Sequence, residues 1–470
     1  MQTQIHRLSL RDLSAELAAG RLTAREITAH YLERIERLDP KLNAFVHVDA
    51  DGALTAADAA DARRACNRAL GPLDGVPVAV KDNLLVAGMP CVWGSRAFEG
   101  YVPDHDELVI AVARRAGLVI LGKTNVPEFT LRGVTTNPVF GSTGNPWDPA
   151  LTPGGSSGGS VAAVAAGLAA FALGTDGGGS IRRPAGFTGL VGLKPSIGRI
   201  ARAHGLPPLL ADCEVVGPIT RRADDMQLAM SVLAGAQAED LRSHGFAPIE
   251  SQTITPANSL RILYVPQFGT APVDPEIGAA CAAAATTLAE MGHSVEIGAL
   301  PLDMDAVTAQ WGVLANTALA LMARGRAGFI DEVSAPFADQ IRAGEQVSGT
   351  DYLAFQDVLT AFREDTAALF EDYDVIITPS SAANPWPRDQ QFPPEIDGKP
   401  AGPRGHAVFT NWVNACGHPG IGVPAGRTEQ GLPIGMQLVG AFGADALLIG
   451  LAQQLETRSQ WADLWPAAFA

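Results

Sequence analysis

Two serines 24 positions apart, each set in glycine, and one lysine at the end of an apolar run have types and spacing that suit nucleophilic chemistry. The first cluster is Thr152-Pro153-Gly154-Gly155-Ser156-Ser157-Gly158-Gly159-Ser160, and the second is Gly174-Thr175-Asp176-Gly177-Gly178-Gly179-Ser180-Ile181-Arg182. Successive N–H groups at Gly177, Gly178 and Gly179, unobstructed by any Cβ, make a concave nest for an anion, either a phosphate or the oxyanion of acyl transfer. A phosphate loop would follow GxxxxGK[ST], and no lysine follows these glycines, which favours the oxyanion. Ser180 is then the candidate nucleophile. A hydroxyl without a base is a weak one.

Two kinds of base compete. Gly154-x-Ser156-x-Gly158 formally matches a nucleophile elbow, with His406 or His418 downstream as partner. An elbow needs a buried strand directly before it, whereas Ala150-Leu151-Thr152-Pro153 is turn-like. The other base is Lys81, which closes Val76-Pro77-Val78-Ala79-Val80 and precedes Asp82-Asn83. A lysine buried at a sheet end loses its charge by desolvation. Taken singly, these features have ordinary readings: a solvated strand end, a flexible turn, a surface ion pair between Asp176 and Arg182. Their coincidence in one chain favours chemistry.

The elements that must position them follow from the same window. Gly158 to Gly167 makes a helix about 15 Å long and Leu168 to Gly174 a returning strand of about 20 Å, so the two serine loops meet at one end. Val76–Val80 and Gly117–Gly122 are short buried strands, with a helix leading into the second. Leu260–Val265, Asp374–Pro379, Ile421–Pro424 and Ile434–Gly440 are further strands, and Asp445–Trp461 is a helix. Strands near both chain ends predict one α/β domain over residues 1–470, with a mixed central sheet covered by helices on both faces. Capping boxes at Ser9-Asp12 and Thr23-Glu26 open an N-terminal helical layer over residues 1–70. The core spans 71–220. A helical stretch, Val307–Tyr373, and a Pro-rich one, Ser380–Thr410, are placed to cap a site.

Composition excludes several function classes. With 47% hydrophobic and 18% charged residues, disorder is ruled out. A net charge of −16 argues against nucleic acid or an anionic membrane as partner. The five cysteines form no CxxC pair, so no metal site and no disulfide framework is expected. The N-terminus lacks a leader pattern, and the longest apolar run, Val161 to Gly174, has 14 residues against the roughly 20 that span a bilayer. No membrane span and a cytoplasmic location are expected. Between Leu151 and Gly198 stand 13 of the 50 glycines, so the glycine excess is local.

The stretches Gly75-Val76-Pro77-Val78-Ala79-Val80-Lys81-Asp82, Pro153 to Ser160 and Gly174 to Pro184 resemble the amidase signature family. The likeness extends through Gly122-Lys123-Thr124-Asn125, Gly189 to Pro195 and Pro433 to Leu438, most of the chain. It implies a cofactor-independent amidohydrolase with Ser180 as nucleophile, Ser156 as bridging serine after a cis peptide at Gly155, and Lys81 as base. It also implies oxyanion donors from Gly177, Gly178, Gly179 and Ser180, supporting roles for Ser157, Thr175, Asp176 and Arg182, and a wall residue at Thr130. Gly177 occupies a position that often carries a larger residue. The substrate implied is a small-molecule amide, anilide or carbamate, possible esters included, and relatives are monomers or homodimers. An alternative within the family is the glutamine-hydrolysing A subunit of a tRNA-dependent amidotransferase. That branch carries an Arg-rich segment followed by Ile-Leu-Gly-Thr, which the stretch Asp339 to Gln346 lacks. A non-catalytic anion-binding protein is the third reading. Trp311, Trp386, Phe392 and Trp412 are candidates for an apolar pocket lining, with ordinary core packing as the competing reading.

Overall fold

Short β-branched runs bounded by glycine and proline form one sheet. In the computed structural model, which describes residues 4–249 and 259–470, that sheet has eleven strands. Numbered in chain order they are β1 (Phe45–Val48), β2 (Pro77–Lys81), β3 (Val119–Thr124), β4 (Phe171–Asp176), β5 (Val191–Lys194), β6 (Val215–Thr220), β7 (Arg261–Tyr264), β8 (Ser294–Ile297), β9 (Val375–Pro379), β10 (Gly420–Arg427) and β11 (Pro433–Gly440). Their order across the sheet is β1-β3-β2-β4-β6-β5-β10-β11-β9-β7-β8. Strands β3, β2 and β4 are parallel, as are β9, β7 and β8, and antiparallel pairs join these two groups through β6, β5, β10 and β11. The expected mixed sheet built from both chain ends is therefore present, flanked by helices. Met1 to Thr3, the first residues of the stretch read for a leader pattern, lie outside the described residues.

Four strands went unread, each for a local reason. β1 lies within the segment expected to be helical, between the helices Ala24–Leu38 and Ala50–Ala65. β5 and β6 hold Gly192, Gly217 and Pro218, which propensity penalises inside strands. β8 is a mostly exposed edge of four residues, without the buried run that marks the central strands. The glycines have a packing use. A Cβ on Gly217 would run into the Leu193 carbonyl, and one on Gly192 would come within 2.7 Å of the Ile181 side chain. Ile181, next to Ser180, packs into that space.

The helix and returning strand between the serine loops are Gly158–Ala165 and β4; the helix ends two residues before expectation, the strand starts three residues and ends two residues after it, and both are buried throughout. Parallel pairing of Val80 with Leu173 sets the carboxyl ends of β2 and β4 side by side. Open α/β sheets place ligands at such ends. Both N-terminal capping boxes form, with Asp12 N donating to Ser9 Oγ (3.0 Å) and Glu26 N to Thr23 Oγ1 (3.1 Å). Buried Arg34 donates to Gly167 O and Ala166 O, both at 2.9 Å, fastening the helical layer to the end of the helix Gly158–Ala165. The stretch expected to be helical contains Gly312–Gly325, Phe329–Glu332, Ala335–Glu345 and Gly349–Asp372. By length and composition Met304–Gly325 would suffice to cross a bilayer, with mean hydropathy 1.3. It nonetheless buries Val307, Leu314 and Leu319 in clusters with Phe355 and Phe337.

Gly217→Ala should lower the unfolding free energy by about 1–3 kcal/mol, because overpacking between β5 and β6 displaces backbone rather than a side-chain tip. Urea denaturation of the two proteins measures it.

Candidate active site

Lys81 ends β2 with no exposed surface, and its Nζ lies 2.8 Å from Ser156 Oγ, 2.8 Å from Thr175 Oγ1 and 3.0 Å from Thr175 O. None of these partners is charged. Burial draws the lysine down to about 7, against the pull of Glu214 and Asp176 in the other direction. Both carboxylates are already paired, Glu214 with Arg202 at 3.0 Å and Asp176 with Arg182 at 2.9 Å. Thr175 is itself held by Asn83, whose Nδ2 donates to its hydroxyl at 3.0 Å, and Ser157 Oγ donates to Thr175 O at 3.2 Å.

The two serine loops are tied by their backbones. Ser157 N donates to Ser180 O at 3.1 Å, and the Gly155–Ser156 peptide is cis. Ser156 is almost fully buried, while Ser180 keeps 8% of its surface, the opening a nucleophile needs. Asp176 organises the glycine turn. It accepts from Gly179 N (2.7 Å), Ile181 N (3.0 Å) and Asn414 Nδ2 (3.0 Å) besides Arg182. Burial would raise the Asp176 carboxyl, but Arg182 and these donors outweigh it and hold it well below the usual carboxylate range. The N–H of Gly179 is thus occupied. Among the described residues the N–H groups of Gly177, Gly178 and Ser180 meet no protein acceptor. Gly179 is needed for another reason: its φ is +102°, and a Cβ there would collide with Thr410 and Arg183.

Several members carry no local sequence signal. Arg182 reaches Gln437 Oε1 (2.7 Å), Asn414 Oδ1 (2.6 Å) and Thr410 O (3.1 Å), partners 228 to 255 positions away. Arg183 donates to Gly178 O, to Thr410 Oγ1 (2.8 Å) and to Gly155 O (3.3 Å), bracing both serine loops at once. Its place in the signature stretch was the available hint.

The histidine alternative is not assembled. Among the described residues, buried His406 has no partner on either ring nitrogen and packs on Trp386, and His418 Nδ1 lies 3.1 Å from Gly440 O. Ser156 instead meets Lys81. Thr130 is buried at φ +59°, its hydroxyl donating to Phe129 O (2.5 Å) and accepting from Trp93 Nε1 (3.4 Å). Of the aromatics considered for a lining, Trp311, Trp386 and Trp412 sit in hydrophobic clusters and Phe392 is half-buried. Among the described residues no group of three or more His, Cys, Asp or Glu is placed to hold a metal ion.

A family model described as Amidase matches residues 26–449. The chain belongs to the amidase signature family. Curated relatives include proteins named as the A subunit of glutamyl-tRNA(Gln) amidotransferase. That of Acidothermus cellulolyticus is 36% identical over 95% of this chain and 93% of its own length, and that of Myxococcus xanthus 34% over 96% and 97%. Among solved structures, a bacterial aryl acylamidase of the same family superposes with TM-score 0.90 at 28% identity, covering 99% of both chains. The peptide amidase of Stenotrophomonas maltophilia gives 0.81 at 27%, covering 96% of this chain and 97% of its own. The family and its relatives make this an amide-hydrolysing enzyme.

Asp176→Asn leaves Arg182 buried without its counter-charge and should lower stability by about 3–5 kcal/mol. Guanidinium unfolding followed by tryptophan fluorescence measures the loss.

Proposed function

We propose that the enzyme hydrolyses a carbon–nitrogen amide bond through Ser180, Ser156 and Lys81, by way of an acyl-enzyme. The observation that carries this reading is the buried Lys81 amine, 2.8 Å from Ser156 Oγ, with no carboxylate of its own and its proton affinity drawn down to about 7. Near neutral pH a large share of such lysines is uncharged and able to accept a proton. Ser156 gives its proton to Lys81 as it takes one from Ser180, and Ser180 Oγ bonds to the substrate carbonyl carbon. The negative charge that forms on the carbonyl oxygen meets the free N–H groups of Gly177, Gly178 and Ser180, donors already oriented before reaction. As the tetrahedral intermediate collapses, the relay runs backwards and delivers the proton to the departing amine nitrogen. Water then repeats the sequence on the acyl-enzyme and frees the acid. The segments 300–410 cap the site in this reading, since Thr410 reaches Gly178 O at 2.8 Å.

A second reading is the glutamine-hydrolysing A subunit of a tRNA-dependent amidotransferase, working with partner chains. The names and full-length coverage of the curated relatives favour it over a free-standing amidase. The absence of Ile-Leu-Gly-Thr after an Arg-rich segment weighs the other way. Both readings use the same three residues. Copurification with a second protein chain, together with glutaminase activity, selects the amidotransferase.

Ser180→Ala should lower turnover on the order of 10³-fold or more while leaving the fold intact, and Lys81→Met nearly as much. Undiminished hydrolysis by the serine variant contradicts the assignment. The pH dependence has a definite sign. Lys81 works unprotonated, so kcat/KM rises with pH through about 7 and levels off above it. A rate that falls over that range contradicts a lysine base.

A further inference from the structure

Among the described residues, three arginines around the serine loops, Arg404, Arg132 and Arg183, have no carboxylate salt-bridge partner. Arg404, carried by the Pro-rich segment, is exposed and lies against the oxyanion turn, where a Cβ on Gly178 would be 3.8 Å from its Nη2. Arg132 is half-buried, its carbonyl against Gly155, and its guanidinium donates to Leu131 O at 3.3 Å and lies 4.3 Å from the centre of the Phe337 ring. Buried Arg183 lies between them, satisfied only by carbonyls and the Thr410 hydroxyl. Arg404 is exposed as a residue, yet its guanidinium is crowded by protein, so desolvation first and then like-charge repulsion from Arg132 weaken its hold on its proton, and it acts likewise on Arg183. Two of the carboxylates nearby are paired with other arginines. Asp176 is paired with Arg182 and Glu214 with Arg202. Glu128 accepts from Ser95 Oγ at 2.8 Å and from Ser334. In a chain of net charge −16, so much unpaired positive charge at one opening is a local exception. Focused charge of this kind recruits an anion.

We propose that this cluster holds a carboxylate of the substrate, so that the enzyme acts on amides carrying a carboxylate and no ammonium group. Arg404 is the principal contact and Arg132 supports it. The proposal rests on the amide-hydrolysis reading of the same site and specifies its substrate class. A guanidinium presents paired N–H donors that match the two carboxylate oxygens, and the Arg132 group lies over the face of Phe337. An ammonium group would find Asp176 and Glu214 already paired with arginines, and Glu128 buried and accepting from Ser95 and Ser334. Glutamine, a zwitterion, is therefore a poorer fit than its analogue without the amino group.

Hydrolysis of glutaric monoamide, its methyl ester and glutamine, compared in wild type, Arg404→Met and Arg404→Lys, tests this. Wild type should prefer the monoamide anion to both others. Arg404→Met should reduce the ratio of anionic to neutral kcat/KM by about tenfold or more, through KM, and Arg404→Lys should restore part of it. Equal losses on anion and ester, or a wild-type preference for the ester or for glutamine, overturn the proposal. Calorimetric titration with glutarate gives a readout independent of turnover. Glutarate should bind Ser180→Ala protein and bind about tenfold more weakly once Arg404→Met is added. No binding to Ser180→Ala protein overturns the proposal. If no amide is turned over but glutarate binds with this dependence on Arg404, the amide-hydrolysis reading fails and the anion site stands.

Discussion

The site depends on keeping an amine dry and without a counter-ion. Lys81 is buried among hydroxyls and a carbonyl, and the carboxylates near enough to hold its proton, Glu214 and Asp176, are each paired with an arginine. Desolvation then dominates and lowers the amine to about 7. The chain carries five lysines and buries three of them fully, which makes the point by contrast. For Lys123 burial opposes the charge, but Asp82 at 3.0 Å outweighs it and raises the lysine above its ordinary value. Lys194, donating to Pro195 O, is lowered by burial and then by Arg182 to about 8. Equally buried, the same residue type holds its proton weakly or strongly according to whether a carboxylate stands beside it.

Much of the surrounding fold maintains that arrangement. Parallel pairing of β2 with β4 brings Lys81 to Thr175, and glycines at 192 and 217 let Ile181 pack close behind Ser180. The Asp176–Arg182 pair does two tasks. It takes Asp176 out of competition for the lysine, and through Thr410, Asn414 and Gln437 it fastens the glycine turn to the C-terminal part of the chain. The site is thus built by strands from one half and anchored by side chains from the other. That accounts for a single domain large enough to hold both.

What the sequence made legible was local. The two serine loops, the helix between them and the strand ending in Lys81 are separated by few enough residues that spacing alone brings them together. Those elements lie within three residues of expectation. Asn414, Thr410 and Arg404 gave no signal, because their partners lie more than 200 positions away, whereas Gln437 falls in the stretch Pro433 to Leu438 that shares the family likeness. Gly179 reads in sequence as an N–H donor to the oxyanion, yet that donor belongs to Asp176, and the residue is needed for its left-handed backbone. Glycine in a nest is ambiguous in sequence between a donor and a turn. Coordinates separate the two.

That Lys81 loses its proton near pH 7 in the folded enzyme can be observed directly. With five lysines in the chain, NMR titration of protein labelled at the lysine ε-carbon is tractable, and the Lys81 signal is assigned by its loss in Lys81→Arg. The account predicts a midpoint of about 7 for that signal, well separated from those of surface lysines. A Lys81 signal that titrates with the ordinary lysines, near the reference value of about 10.4, would contradict it.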